Sequence, residues 1–201
     1  MDTFVKIDAY SEQPGAARLA VDDALQTFQQ IALLTDRFSD GGPGSLYEAN
    51  SRAADAPVHV APQLAKLLAW LDQRQDTQLD ITIAPVVDLW QTARSQNTLP
   101  APAKLQAALS HTGKAQYHFD TAAQTLKYHD AAVKLDLGSV AKGYAVDAAA
   151  ATLKKHPDVT CALINAGGNI KAVGNKPGKM PWRVAVQHPR DPEAFLGTVL
   201  L

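Results

Sequence analysis

The sequence predicts an α+β fold, with a helical N-terminal half packed on a mainly antiparallel sheet. Three observations carry this expectation. Residues 15–37 place Leu19, Val21, Leu25, Phe28, Ala32 and Leu34 at helical spacing. From residue 115 onward, short alternating runs separated by glycine-rich turns take over. Helical and strand-like segments are segregated instead of alternating as βαβ units.

In chain order, TFVKIDAY (3–10) alternates as a strand, and the helix of residues 15–37 follows. DRFSDGGPGS is a loop by its glycine and proline content. SLYEANSRAAD is ambiguous, and PVHV reads as a brief strand. APQLAKLLAWLDQ (61–73) is a helix with Pro62 in its first turn. LDIT is extended and enters a helix near Ala84, with Pro85 in the first turn and Trp90 in the core. A helix over 101–111 ends at Gly113. AQYHFD, TLKYHD and AVKLDL read as strands, then residues 139–154 as a helix. CALINAG, NIKAVGN and WRVAVQHP complete the strand set.

Composition narrows the function classes. The 201 residues are 46% hydrophobic and 19% charged, with a net charge of -1. This is a globular composition with no basic excess to attract nucleic acid. Cys161 is the single cysteine, so neither a disulfide framework nor a cysteine-rich zinc site is expected, and it reads as core filling. The histidines at 59, 111, 118, 129, 156 and 188 form no HxxxH or HExxH pair. No segment approaches the ~18 consecutive apolar residues of a membrane span. MDTFVKIDAYSE lacks the basic and apolar regions of an export leader. The expected compartment is therefore cytoplasmic, the alternative being an exported protein whose leader is absent here.

Four stretches can carry chemistry. In KLDLGSVAKGYAVD, Asp136, Ser139 and Lys142 are spaced three apart where strand-like sequence becomes helical. Ser139 can cap that helix, whose first amides would suit a phosphate. Lys142 is ill placed near the positive dipole end unless an anion passes over it. Spacing alone favours a capping serine and a solvated lysine. In LINAGGNIKAVG, Gly167 and Gly168 suit a tight hairpin or the close approach of a flat ligand, and pattern favours the hairpin. In LDITIAPVVDLW, Asp80 can cap the following helix, which carries Asp88. Asn50 and Tyr47 follow the glycine-rich loop, where Asn usually serves a turn.

In their order, these stretches resemble the FAD:protein FMN transferase family, the ApbE flavin transferases. MDTF is similar to the family's MGT opening, and FSDGGPGSLYEAN to its serine-rich loop ending in Asn. LDITIAPVVDLW resembles FDxTxxPLxxLW, KLDLGSVAKGYAVD resembles LDLGxIAKGYAxD, and LINAGGNIKAVG resembles LIxxGGxxxxxG. WRVAVQHPRD is similar to WxIxIxxP. The resemblance implies an enzyme that binds FAD with Mg²⁺, moves FMN onto a Thr or Ser hydroxyl of an acceptor protein, and releases AMP. It implies that Met1, Gln78, Leu79, Asp80, Asp136 and Lys142 contact FAD and that Asn50 helps hold the flavin nucleotide. Ser139 matches the position giving Mg²⁺ an oxygen, often from its backbone carbonyl.

The chain departs from the family pattern in three places. Asp2 replaces the family's Gly, and the loop over 38–50 is altered, leaving Phe38 and Tyr47 both as candidates for the aromatic flavin contact. The family then continues through a TSGxY strand to an HxIDPxTG segment with the proposed base and two Mg²⁺ ligands, whereas this sequence stops at FLGTVLL. The expectation is a single domain over 1–201, C-terminally incomplete, binding flavin weakly by itself without turnover, with no residue assigned as catalytic. Two alternatives stay open: hydrolysis of FAD to FMN and AMP, and a non-catalytic flavin-binding domain.

Overall fold

In VKIDAY the alternation of side chains is that of a strand with one covered face, and β1 (Val5–Tyr10) pairs antiparallel with β5 (Cys161–Ala166). The computed structural model describes residues 3–74 and 78–201. Among them are six α-helices and eight strands. They form two compact units, one of residues 30–141 and the other of residues 3–29 with 142–201.

The first unit holds the end of α1 (Pro14–Thr35), α2 (Leu46–Arg52), β2 (Val58–His59), α3 (Pro62–Asp72), α4 (Ala84–Ser95) and α5 (Pro102–Leu109). It also contains β3 (Tyr117–Asp120) and β4 (Thr125–Tyr128), which form a small antiparallel sheet in the order β2-β4-β3. Prolines open α3, α4 and α5, as expected of residues that lack an N–H and fix a helical φ. The core gathers Ile31, Leu46, Leu64, Leu67, Leu68, Leu126, Tyr128, Val133, Leu135 and Leu137, all nearly or fully inaccessible. Trp90, expected in the core, is 47% exposed, because its ring borders an open apolar hollow of about 510 Å³ shared with Val86, Val87 and Arg94.

The second unit is built on α6 (Gly138–Leu153) from residue 142 onward, the start of α1, and the sheet β1-β5-β6, with β6 spanning Asn169–Val173. Small residues line both helices: Ala20 and Ala24 of α1 and Ala145 and Ala149 of α6 are fully buried. The Thr27 and Thr152 hydroxyls lie 3.0 Å apart. Cys161 is buried in the core as expected, and burial raises its thiol pKa. Gly167 and Gly168 form the two-residue turn between β5 and β6, at φ 55° and 89°. The pairing and the positive φ values bear out the pattern's hairpin reading, and a Cβ on Gly167 would collide with the Thr3 side chain, which favours glycine there. A second hairpin joins β7 (Arg183–Gln187) to β8 (Phe195–Leu200).

The strand expected for AVKLDL does not form. Residues 133–137 bury Val133, Leu135 and Leu137 in alternation, as a strand would, yet they join no sheet. The Asn50 side chain supplies the hydrogen bonds that a neighbouring strand would have made.

Candidate functional site

Three of the stretches singled out in the sequence meet in the first unit, and the loop before α2 prepares one of them. Ser45 caps α2 by accepting the Glu48 N–H at 3.3 Å, while Glu48 Oε2 accepts the Gly44 N–H at 2.7 Å. The short helix so fixed turns Leu46, Ala49 and Asn50 inward. Asn50 Nδ2 donates to the Leu135 carbonyl and its Oδ1 accepts the Leu135 N–H, both at 2.9 Å. The same Oδ1 accepts the Tyr128 hydroxyl at 2.7 Å, and Lys134 Nζ donates to the Asn50 carbonyl. Burial, above all, raises the Tyr128 pKa and keeps that hydroxyl a donor. Asn50 is thus a structural clamp on the KLDLGS segment.

Next along that segment, the Asp136 N–H donates to the Ile81 carbonyl at 2.7 Å, which joins KLDLGS to LDITIAP. Asp136 Oδ2 accepts Arg37 Nε at 2.7 Å, and Oδ1 accepts the Gly138 N–H at 2.7 Å. The other two guanidinium nitrogens of Arg37 reach Asp88, at 2.6 and 3.1 Å. Arg37, read in the sequence only as part of a loop, has a side chain just 8% exposed. Burial pulls its pKa down, but the hydrogen bond and charge of Asp88 and the charge of Asp136 outweigh that and raise it. Asp88 was noted on α4, but nothing in the linear pattern pairs it with position 37.

Asp80 does not cap α4, whose N-cap is Ile83 with no side-chain bond. It closes the turn before the helix: Asp80 Oδ1 accepts the Thr82 N–H at 2.8 Å and the Thr82 hydroxyl at 2.5 Å. Thr82 Oγ1 in turn accepts the Gly113 N–H at 2.6 Å. Three residues, Ile81, Thr82 and Ile83, separate Asp80 from the helix, which is why its reach falls on Thr82. Beside it, Gln78 is exposed and Leu79 half-buried. Met1 lies outside the described residues.

Ser139 is not the N-cap either. The helix starts at Gly138, because the Leu137 carbonyl accepts the first helical bonds from Val140 and Ala141. The capping side chain is that of Asp136, and Ser139 is an exposed residue of the first turn. Lys142, the fifth residue of α6, is half-buried and takes part in none of the ion pairs among the described residues. Phe38 is 64% exposed and its ring lies 4.1 Å from the Arg37 guanidinium carbon. Tyr47 borders a shallow hollow of about 270 Å³ with Asp40, Pro43 and Arg52.

Asn50, Asp80, Asp136 and Ser139 therefore belong to one connected set of segments in the first unit. Among the described residues, no three His, Cys, Asp or Glu side chains cluster as a ready-made metal cage. The side chains of Asp80, Asp136 and Ser139 carry oxygen donors only, the donor type that Mg²⁺ takes.

A family model described as the ApbE family matches residues 1–201. A relative from Treponema pallidum named FAD:protein FMN transferase is 27% identical over 204 residues, covering 93% of this chain and 56% of the relative. One of the same name from Rhodobacter capsulatus is 32% identical over 154 residues, covering 73% and 29%. Among solved structures, the ApbE protein of Thermotoga maritima superposes with a TM-score of 0.82 at 25% identity, over 99% of this chain and 64% of that one. The flavin transferase ApbE of Vibrio cholerae gives 0.81 at 22% identity, over 100% and 65%. The chain spans about half the length of the curated relatives it matches.

Proposed function

The chain belongs to the ApbE family, and from this premise we propose that it acts in the transfer of FMN from FAD to a Thr or Ser hydroxyl of an acceptor protein, with release of AMP. The observation that carries this reading is the bond from the Asp136 N–H to the Ile81 carbonyl, together with the clamp of Asn50 on Leu135. Three stretches far apart in sequence are thereby held in one place.

In the proposed reaction, the acceptor oxygen bonds to the phosphorus of the FMN moiety and the bond from that phosphorus to the AMP oxygen breaks. The hydroxyl proton leaves with the products, so one phosphoanhydride is exchanged for one phosphoester without redox change. Asp80 and its neighbours Gln78 and Leu79, with Asp136 and Lys142, hold FAD. Asn50 keeps the segment carrying Asp136 in register. The α6 amides and the Lys142 ammonium favour the negative pyrophosphate. Ser139 provides an oxygen toward Mg²⁺, and the ion, when bound, neutralises the phosphates.

Incubation with FAD, MgCl₂ and an acceptor protein bearing a Thr in a flavinylation motif tests the proposal. Covalent flavin fluorescence on the acceptor with an equal amount of AMP would support transfer, and would overturn the expectation that residues 1–201 by themselves bind flavin without turnover. AMP release without acceptor labelling would identify hydrolysis instead. Flavin binding with no AMP at all would mark a non-catalytic flavin domain.

A further inference from the structure

Resting on that reading of the 134–139 segment, Arg37 is the residue of its surroundings that still lacks a role. Its guanidinium spans two carboxylates, each through a short bond: Asp136 at 2.7 Å on one side and Asp88 at 2.6 Å on the other. The Phe38 ring covers it, and only 8% of its side chain is exposed. Each Asp136 carboxylate oxygen is engaged inside the protein, one by Arg37 Nε and one by the Gly138 N–H. A Cβ on Gly138 would meet Asp136 Oδ1 at 2.9 Å, so this turn admits no side chain without moving the carboxylate.

We infer that Arg37 is a positioning residue of the FAD site: braced by Asp88, it fixes the Asp136 carboxylate and, through it, the Gly138 amide at the start of α6. Asp136 then serves FAD by holding this turn in place, and its carboxylate need not touch the ligand. A guanidinium does this where an ammonium cannot. Its planar fork bonds Asp88 with two nitrogens while a third direction remains for Asp136. A lysine would offer one point of charge and lose one partner.

The test compares wild type with Arg37→Met, Arg37→Lys, Asp136→Asn and the double variant Arg37→Met/Asp136→Asn, by titration with FAD and by the FMN transfer assay with FAD varied, the Kd for FAD being read in place of KM where FAD binds without turnover. Arg37→Met is expected to raise the KM for FAD about tenfold or more, with kcat at saturating FAD within about threefold. Arg37→Lys should recover part of that loss. A merely structural role would instead shrink the folded fraction, lowering kcat at unchanged KM. The double variant should be no worse than the worse single one, since both act through one contact.

An unchanged KM in Arg37→Met, a loss confined to kcat, or losses that multiply in the double variant would overturn the inference. If Arg37→Met does not fold, Asp88→Asn loosens the same brace from its far side. A rise of about threefold in KM supports the inference there, and no rise overturns it. Wild-type protein that neither binds FAD nor transfers FMN overturns the functional reading and this inference together. An active wild type with an unaffected Arg37→Met overturns the inference alone.

Discussion

Asn50 and Leu135 exchange two hydrogen bonds of 2.9 Å, the amide of one side chain bonding both polar groups of a buried residue's backbone. An amide side chain carries the same donor and acceptor as a peptide, so Asn50 stands in for a neighbouring strand. That substitution explains why residues 133–137 alternate like a strand yet join no sheet. It also gives α2 a hold on the segment that leads into α6.

Replacing Asn50 by Leu would leave the Leu135 N–H, the Leu135 carbonyl and the Tyr128 hydroxyl unpaired in the interior. At about 1–3 kcal/mol for each orphaned buried group, a loss of about 3 kcal/mol or more is expected in urea unfolding. Tyr128→Phe removes one bond and leaves Oδ1 its other partner, so its cost should be about 1 kcal/mol. Equal costs for the two variants would contradict the clamp.

Thr82 relays between Asp80 and Gly113 and is wholly buried. Valine keeps the shape and deletes the hydroxyl, leaving the Gly113 N–H without its acceptor. A loss of about 1–3 kcal/mol is expected for Thr82→Val, and a smaller one for Thr82→Ser. Hydrogen exchange at the Gly113 amide should quicken in the valine variant beyond what its global stability explains. Protection that follows global stability alone would remove the relay from the account.

The elements with strong periodicity or proline punctuation were legible in the sequence, among them α1, α3, α4 and the β5–β6 hairpin, because local rules decide them. α2 was legible in principle. Ser45 and Glu48 stand at the capping-box spacing S-x-x-E, a signal that the adjoining glycine-rich loop obscures. The AVKLDL strand failed because its partner is a side chain 85 positions away. Arg37 was invisible for a related reason: its partners lie 51 and 99 positions off, and an isolated Arg in a polar loop reads as solvated. The motif residues were found through their shared order, whereas their actual bonds, such as Asp80 to Thr82, had to come from the structure.

Tyr117 connects this neighbourhood to alkaline pH. Burial first, and then the charges of Asp72 and Asp80, push its pKa from 10.0 up to about 12. A raised folded-state pKa means that the native protein keeps the phenolic proton longer than the unfolded chain does. The stability this gives is fully present below pH 10 and is lost as pH rises through about 12. Melting temperatures should therefore fall across that window, and less steeply in Tyr117→Phe. Parallel curves for the two proteins would show that other groups set the alkaline limit.

Lys142 separates binding from stability. It lies near the N-terminal end of α6, where the helix dipole disfavours a cation, and none of the ion pairs among the described residues offsets that. At the fifth helical position the penalty is small, at most a few tenths of a kcal/mol. Lys142→Met keeps the apolar stem and removes the charge, so its melting temperature should be unchanged or slightly higher. If the ammonium faces the pyrophosphate of FAD, the same variant should bind FAD about tenfold or more weakly, and the difference should shrink with added salt. A core lysine would give the opposite pair of results, with lower stability and unaltered FAD affinity. Fluorescence titration with FAD, run beside thermal melts of the same samples, distinguishes the two.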